Sequence, residues 1–551
     1  MSPILKQRLA AVPQLVWLLL LTLACLVPFA NKAFHIDDTL FLRAAQQIQQ
    51  HPADFYGCTM NWFGTPQPMV QVFDNPPLTC YYIALVAAVT GWSEVALHLA
   101  FLLPALAAVW GTFSLARQYC KRPVVAALVA ILTPVFLISA TTLMCDVMLL
   151  AFWVWALVWF EKGLQKNDWS AFLASGLLAG LAVWTKFTAL ALVPLLAAYG
   201  LTRQRRPGWW LIALVIPLLF TGGYEWVTHR LYGRGLLSGA AAYASETAKV
   251  FGVSLLGKET LGLIFLGGCF LPVLLYLPSL WSRRSILIGL VLLVCCALLL
   301  PSLAQLKPFL RRADGTLNWA SLLQSALFTV AGIHLLLLVG ADFWHLRDPT
   351  SLLLVLWVLG IFVFATALNW TINGRSLLPI VPAIGILVAR RLDRQQPSTA
   401  PSGFWRTFWP ALPAGILSLL LVTSDYNLAN TSRTAAAQLY ARHHKPGNAL
   451  WFEGHWGFQY YMEALGASAI DVNGASLVAG DIVVLPSNAT NIRELPSELI
   501  RPVEVMEYLP NSHYTIMNSS AGAGFYAAAF GPLPFAAGDI KPVRFRVYEF
   551  K

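Results

Sequence analysis

Charge is scarce in this chain: only 11% of its 551 residues are Asp, Glu, Lys or Arg, against about 25% in soluble domains. With 58% hydrophobic residues and a mean hydropathy of +0.64, the chain needs lipid as its solvent. Acids are the rarer sign, 26 against 37 bases, for a net charge of +11. That excess does not point to nucleic acid, because the cations cluster between apolar stretches and line no common face. The eight cysteines show no paired ligand spacing, which excludes a metal knuckle. Cys58 and Cys80 share one loop and leave a disulfide open, since spacing fixes no geometry. No small-residue cleavage site follows the first apolar run at 15–30, so it reads as an uncleaved first helix and not as a signal peptide.

What the chain has is long apolar runs. Beyond the first they lie at about 95–117, 123–140, 147–160, 170–184, 187–202, 209–229, 260–278, 285–303, 320–340, 351–369, 376–391 and 408–424. The reading is roughly thirteen membrane-spanning helices. An odd number places the two termini on opposite sides. Short Lys/Arg clusters then fall on alternate connections, as the positive-inside bias requires: Arg117, Lys121 and Arg122; Arg203, Arg205 and Arg206; Arg283 and Arg284; Arg390, Arg391, Arg394 and Arg406. Lys307, Arg311 and Arg312 break the pattern and are placed outside, where they call for a miscounted span or an anion.

The apolar stretch Leu78 to Thr90 is short for a span and reads as interfacial or re-entrant, leaving a first outer segment of about 31–93 rich in aromatics and proline. After about residue 429 the pattern changes to short apolar runs between turn residues, among them Ala449–Glu453, Asp481–Leu485, Val503–Tyr508 and Val543–Phe550. With a helix at 457–465 they predict a small α/β domain over 430–551, on the outer side, behind a membrane domain over 1–429.

The sparse charges of the outer side are the chemical candidates. Asp37 and Asp38 stand where the chain leaves its first helix. Partial desolvation there raises a carboxylate pKa and suits a general base; equally, either acid fits the cap of an amphipathic helix starting near Thr39 and running through Ile48. Asp146 opens a span, and an acid so close to apolar sequence is a functional candidate by default. Lys186 lies at a tight outer turn and Arg375 opens another span from outside; each alone fits a cation snorkelling to headgroups. The helix count returns all five to one membrane face. There a carboxylate can take a proton from an acceptor hydroxyl while cations stabilise a leaving phosphate whose lipid tail lies in the bilayer.

Four segments in order carry a resemblance: Asp37-Asp38 after the first helix, Asp74-Asn75-Pro76-Pro77-Leu78, Gly180-Leu181-Ala182-Val183-Trp184-Thr185-Lys186, and Gly374-Arg375-Ser376-Leu377-Leu378-Pro379. Together with Asp146 they resemble the class C glycosyltransferases (GT-C), in particular the family joining protein O-mannosyltransferases and bacterial lipid A aminoarabinose transferases. The resemblance implies a transferase in the bacterial inner membrane, with active site and C-terminal domain on the periplasmic side. It implies a polyprenyl-phosphate-linked sugar as donor, inversion at the anomeric carbon, and an acceptor that is a lipid, glycan or protein. Asp37 would be the base; Asp38 and Asp146 would orient it or hold a substrate, and Lys186 and Arg375 would contact the phosphate. The sequence departs from the aminoarabinose transferases at Asn75, where they carry Lys, and near Leu40, where they carry Arg. Arg43, Lys186, Arg375 or the 307–312 loop would then take over the grip on phosphate. The outer loop shows no Asp-x-Asp motif; no obligatory metal is expected, and a divalent ion is compatible but not indicated.

A transporter or lipid-linked sugar flippase is the alternative, for which charges in the membrane mark a translocation path. No internal inverted repeat supports it. A third reading is an enzyme-derived scaffold that binds through its terminal domain. That domain is expected to shape the acceptor site or to dock a partner.

Overall fold

The computed structural model describes residues 3–251, 254–312, 314–395, 408–445, 449–474, 477–493, 495–511 and 513–551. Seven of its helices are each long and apolar enough to cross a bilayer, from Glu94–Tyr119 to Ala411–His443. The pair Leu255–Cys269 and Leu271–Leu280, bent by 68°, has the shape of a broken span or a re-entrant loop and counts as an eighth only if both halves cross together. Several expected spans are broken instead of continuous. The 123–140 run is divided into Pro123–Ile131 and Pro134–Ser139, because Thr133 turns extended ahead of Pro134 and its hydroxyl accepts the amide of Phe136. The 376–391 run starts as a 3-10 turn, Arg375–Ile380, before continuing as Val381–Gln395.

Long spans pack as antiparallel neighbours. Asp146–Lys166 turns through left-handed Asn167 directly into Trp169–Thr185, whose first turn the Asp168 side chain caps at Ser170. Helices Leu255–Cys269 and Trp319–Leu346 approach closely at Gly267 and Gly332. A methyl group at either would strike the facing backbone carbonyl, of Phe328 or Leu263. Short polar bonds tie the basic clusters together at one end of the bundle: Arg122 with Asp393, Arg203 with Glu161, and Arg390 with Asp342 and Asp348.

The expected amphipathic helix in the first loop is Asp38–Gln50. It packs on Leu78–Thr90, where Gln49 Nε2 donates to the Ala84 carbonyl at 2.9 Å. That second helix, 13 residues, rises only about 20 Å and is too short to cross. Cys58 and Cys80 are both free thiols.

The C-terminal region holds a five-stranded sheet in the order Ser468–Ala469, Leu450–Phe452, Ile482–Pro486, Val543–Phe550, Ile500–Tyr508. The first three strands run parallel, with helix Trp456–Ala464 as the crossover, and Val543–Phe550 runs antiparallel to both of its neighbours. All four expected strands are present. The expected boundary at residue 430 is corrected, because it falls inside the continuous helix Ala411–His443. Nor is the region a separate body: one buried apolar core runs from Leu18 in the first helix to Val547 in the sheet. The short apolar runs between turn residues marked the strands, whereas the polar residues at 423–432 hid a helix that continues to His443.

Candidate active site

Antiparallel packing brings Asp146 and Lys186 together. Asp146 is the first residue of one helix and Lys186 the C-cap of the next, so both lie at the same end of a hairpin. Each also suits its helix dipole, an acid at an N-terminus and a cation at a C-terminus. Lys186 Nζ donates to Asp146 Oδ1 at 2.7 Å, and Arg375 Nη1 lies 3.7 Å from Asp146 Oδ2.

Arg375 is aimed by its own turn. Asn373 Oδ1 accepts from the amide and hydroxyl of Ser376, and Asn369 Nδ2 also donates to that hydroxyl. Gly374 is needed beside it, since a Cβ would meet the Phe525 ring at 2.4 Å. From there Arg375 Nη2 donates to Asp37 Oδ2 at 2.9 Å, and Nη1 also touches the Met144 sulfur. The guanidinium Nε is buried and has no acceptor among the described residues.

The two adjacent acids divide their work. Asp37 sits at the N-cap of Asp38–Gln50, yet its side chain makes no capping bond and is 27% exposed. Asp38 is fully buried: one oxygen accepts the amide of His35 and the other the amide of Leu143, pinning the first loop to the 140–145 turn. Burial pushes its carboxyl up to about 7, against the opposing pull of Lys32 and the two amides. Between them and His35, Ile36 takes φ +48°, an unfavourable conformation for a β-branched residue, which the Asp38 bonds hold in place.

The structure therefore brings Asp37, Asp146, Lys186 and Arg375 into one chain of ion pairs, with Asp38 directly behind. Asn75 lies alongside: its Oδ1 faces the Cys145 thiol at 3.9 Å, and its carbonyl accepts from Tyr56. Arg43 stands apart, exposed, with Nη2 3.4 Å from the Thr59 carbonyl. The 307–312 cations likewise make no ion pair with the cluster.

Behind Asp38 lies a second layer that the sequence did not disclose. Lys32 and Asp425 form a fully buried ion pair; Lys32 Nζ also donates to the Thr141 carbonyl, and Tyr526 Oη donates to Asp425 Oδ2 at 2.9 Å. His35 Nε2 lies 3.5 Å from Asp425 Oδ1, and burial holds its imidazole down at about 4. The Tyr526 ring meets the Arg375 guanidinium 5.5 Å from its centroid, and burial raises its phenol well above the usual range. Two backbone bonds, Gly374 N to Phe525 O and Ala528 N to Ile372 O, lace the 525–528 segment to the Arg375 loop. Asp425 carried a usable signal, an acid in an apolar helix. Tyr526 carried none.

The model of the dolichyl-phosphate-mannose-protein mannosyltransferase family matches residues 74–223, which include Asn75, Asp146 and Lys186. ArnT from Cupriavidus metallidurans, solved bound to undecaprenyl phosphate, superposes with a TM-score of 0.50 at 14% identity, over 87% of this chain and 93% of that one. The archaeal oligosaccharyltransferase AglB from Archaeoglobus fulgidus, in complex with an inhibitory peptide and a dolichol-phosphate, gives 0.48 at 14% identity, over 84% of this chain and 64% of that one. No curated protein matches by sequence. Over most of its length the chain thus shares the fold of the ArnT structure, a helical multi-pass architecture with a strand-rich C-terminal region.

Proposed function

We propose that the protein transfers a sugar from a polyprenyl-phosphate donor to an acceptor hydroxyl, on the extracytoplasmic face of a bacterial inner membrane, with inversion. What supports this most is the convergence of Asp37, Asp146, Lys186 and Arg375, drawn from four distant segments, at one end of the bundle. A structural ion pair needs two partners. Here two cations share two acids, and one guanidinium nitrogen is left over.

The donor phosphate supplies oxygens that compete with both carboxylates for Lys186 and Arg375. Arg375 suits this because its planar fork reaches two acceptors at once. As it turns to the phosphate, Asp37 gains lone pairs for an acceptor O–H. The acceptor oxygen bonds to the anomeric carbon as the bond to phosphate breaks; the proton passes to Asp37, and polyprenyl phosphate leaves against the two cations. A single displacement inverts the centre. Asp146 holds Lys186 and Arg375 at their spacing, and Asp38 fixes the backbone that presents Asp37. The basic clusters at the other end of the bundle fit the cytoplasmic side under the positive-inside bias.

The test is release of polyprenyl phosphate from a lipid-linked sugar by purified protein, with an envelope glycan profile of cells with and without it to name sugar and acceptor. Turnover lost in Asp37→Asn supports the reading. Turnover unchanged in that variant removes Asp37 as base, and movement of intact donor across a bilayer without release favours the flippase.

A further inference from the structure

The turn at 307–317 is the basic segment that the helix count places on the wrong side. Within it Lys307, Arg311 and Arg312 are all exposed, and none lies within ion-pair distance of a carboxylate among the described residues. The one nearby acid, Asp314, is turned inward: its Oδ1 accepts both the amide and the hydroxyl of Thr316. It offsets Arg312 in part.

The described residues on either side of position 313 are tied to one another. Arg311 bridges Leu317 in antiparallel fashion, the Arg312 amide bonds Thr316 O at 2.9 Å, and Gly315 takes φ +82° where the chain reverses. Arg311 Nη1 closes it on the Gly315 carbonyl at 3.0 Å.

Its flanks fix its depth. Before it runs the apolar Arg283–Ser302 helix, little of it buried, ending in exposed Leu298 and Leu299. After it comes exposed Trp319 at the head of the next span, followed by exposed Leu323. Lipid-facing surface therefore stops on both sides where the three cations begin, and a tryptophan marks the interface. The same turn packs on the C-terminal region, with the Phe309 ring 3.6 Å from where a Gly522 Cβ would stand. It thus lies at the end of the bundle that holds Asp37 and Arg375.

We propose that Lys307, Arg311 and Arg312 form a docking surface for anionic phospholipid headgroups at that end of the membrane. Three cations without an ion-pair partner among the described residues, Arg312 offset only in part by Asp314, lie at headgroup depth within a screening length of about 8 Å from lipid phosphates. The surface is independent of the transfer chemistry, which involves none of these residues.

The test compares the whole protein and a Lys307→Gln/Arg311→Gln/Arg312→Gln variant, each in nanodiscs of equal phosphatidylglycerol and phosphatidylethanolamine, by native mass spectrometry of retained lipid. Wild type should keep phosphatidylglycerol over phosphatidylethanolamine by up to about 10²-fold, the preference should fall as salt rises, and the variant should lose it at an unchanged unfolding midpoint. If the variant fails to fold, single Arg312→Gln together with the salt titration of wild type carries the test. Equal preference in wild type and variant, or none in wild type, overturns the proposal. So does displacement of the lipid by millimolar inorganic phosphate, which would make this a site for a soluble anion.

Discussion

Arg375 Nη2 lies 2.9 Å from Asp37 Oδ2, and the same guanidinium reaches Asp146 at 3.7 Å, so a single side chain ties the half-buried acid of the site to the fully buried one. A lysine cannot reproduce that span, because an ammonium is a point charge without a planar fork. Arg375→Lys should therefore lower kcat/KM for the lipid-linked donor by about 10²-fold or more. The loss should show in donor KM and kcat together, read from initial rates of polyprenyl phosphate release. A change under threefold would remove Arg375 from phosphate contact.

Under the proposed mechanism, Asp37→Asn takes away the group that receives the acceptor proton while keeping nearly the same shape. General-base contributions run at about 10²–10⁴-fold, so kcat should fall by that amount with donor affinity little changed. Because the substituted amide still offers Arg375 an oxygen, the unfolding midpoint should hold. A variant that unfolds early would make Asp37 a structural partner of Arg375 instead.

The four cluster residues were legible in the sequence because rare charges at the ends of apolar runs have few places to go. Alternation of the runs put Asp37, Asp146, Lys186 and Arg375 on one face, and helix hairpins delivered two of them side by side. Their lateral meeting was not legible: it depends on which helices pack, and apolar runs of similar composition do not distinguish their neighbours. Lys32 hid as an ordinary boundary charge, and Asp425 fell one residue past the expected end of the last span. The part played by the C-terminal region was hidden for a third reason. Tyr526 and Phe525 act through ring position and backbone bonds, which leave no periodicity. Truncation at residue 430 would cut the Ala411–His443 helix and strip the support from the Arg375 loop, so donor use should fail together with acceptor use.

Asp38 supplies a pH test. Both its oxygens accept backbone amides, and burial raises its carboxyl from 3.8 to about 7. In the unfolded chain it ionises near the lower value, so between about pH 4 and 7 the folded state binds more proton than the unfolded state. Its contribution is thus fully present below the lower value and is lost as pH rises through 7. Asp38→Asn should remove that slope from the thermal midpoint between about pH 4 and 7. It should also cost about 1–3 kcal/mol at every pH, since an amide offers one acceptor where two N–H groups need one each. A slope that persists in the variant would assign the pH dependence to another group.

Tyr526 separates ring from hydroxyl. Tyr526→Phe keeps the ring over Arg375 and loses only the bond to Asp425, whereas Tyr526→Ala loses both. Cation–π contacts are worth about 0.5–2 kcal/mol, so the alanine variant should raise donor KM up to about thirtyfold while phenylalanine stays within a few fold. Equal losses would mean that the Asp425 bond, not the ring, positions Arg375.

The Lys32–Asp425 pair decides whether this second layer acts by charge or by packing. Both side chains are fully buried, and removing one partner strands an uncompensated charge, at a typical cost of about 3–5 kcal/mol. Lys32→Met and Asp425→Leu should each lower the unfolding midpoint strongly. The double variant should recover much of that loss, because no bare charge remains. Recovery stays incomplete, since the Tyr526 hydroxyl and the Thr141 carbonyl are then left without their partners. Additive losses in the double variant would show that the pair is held by independent contacts, and the layer behind Asp38 would then be a packing feature and not an electrostatic one.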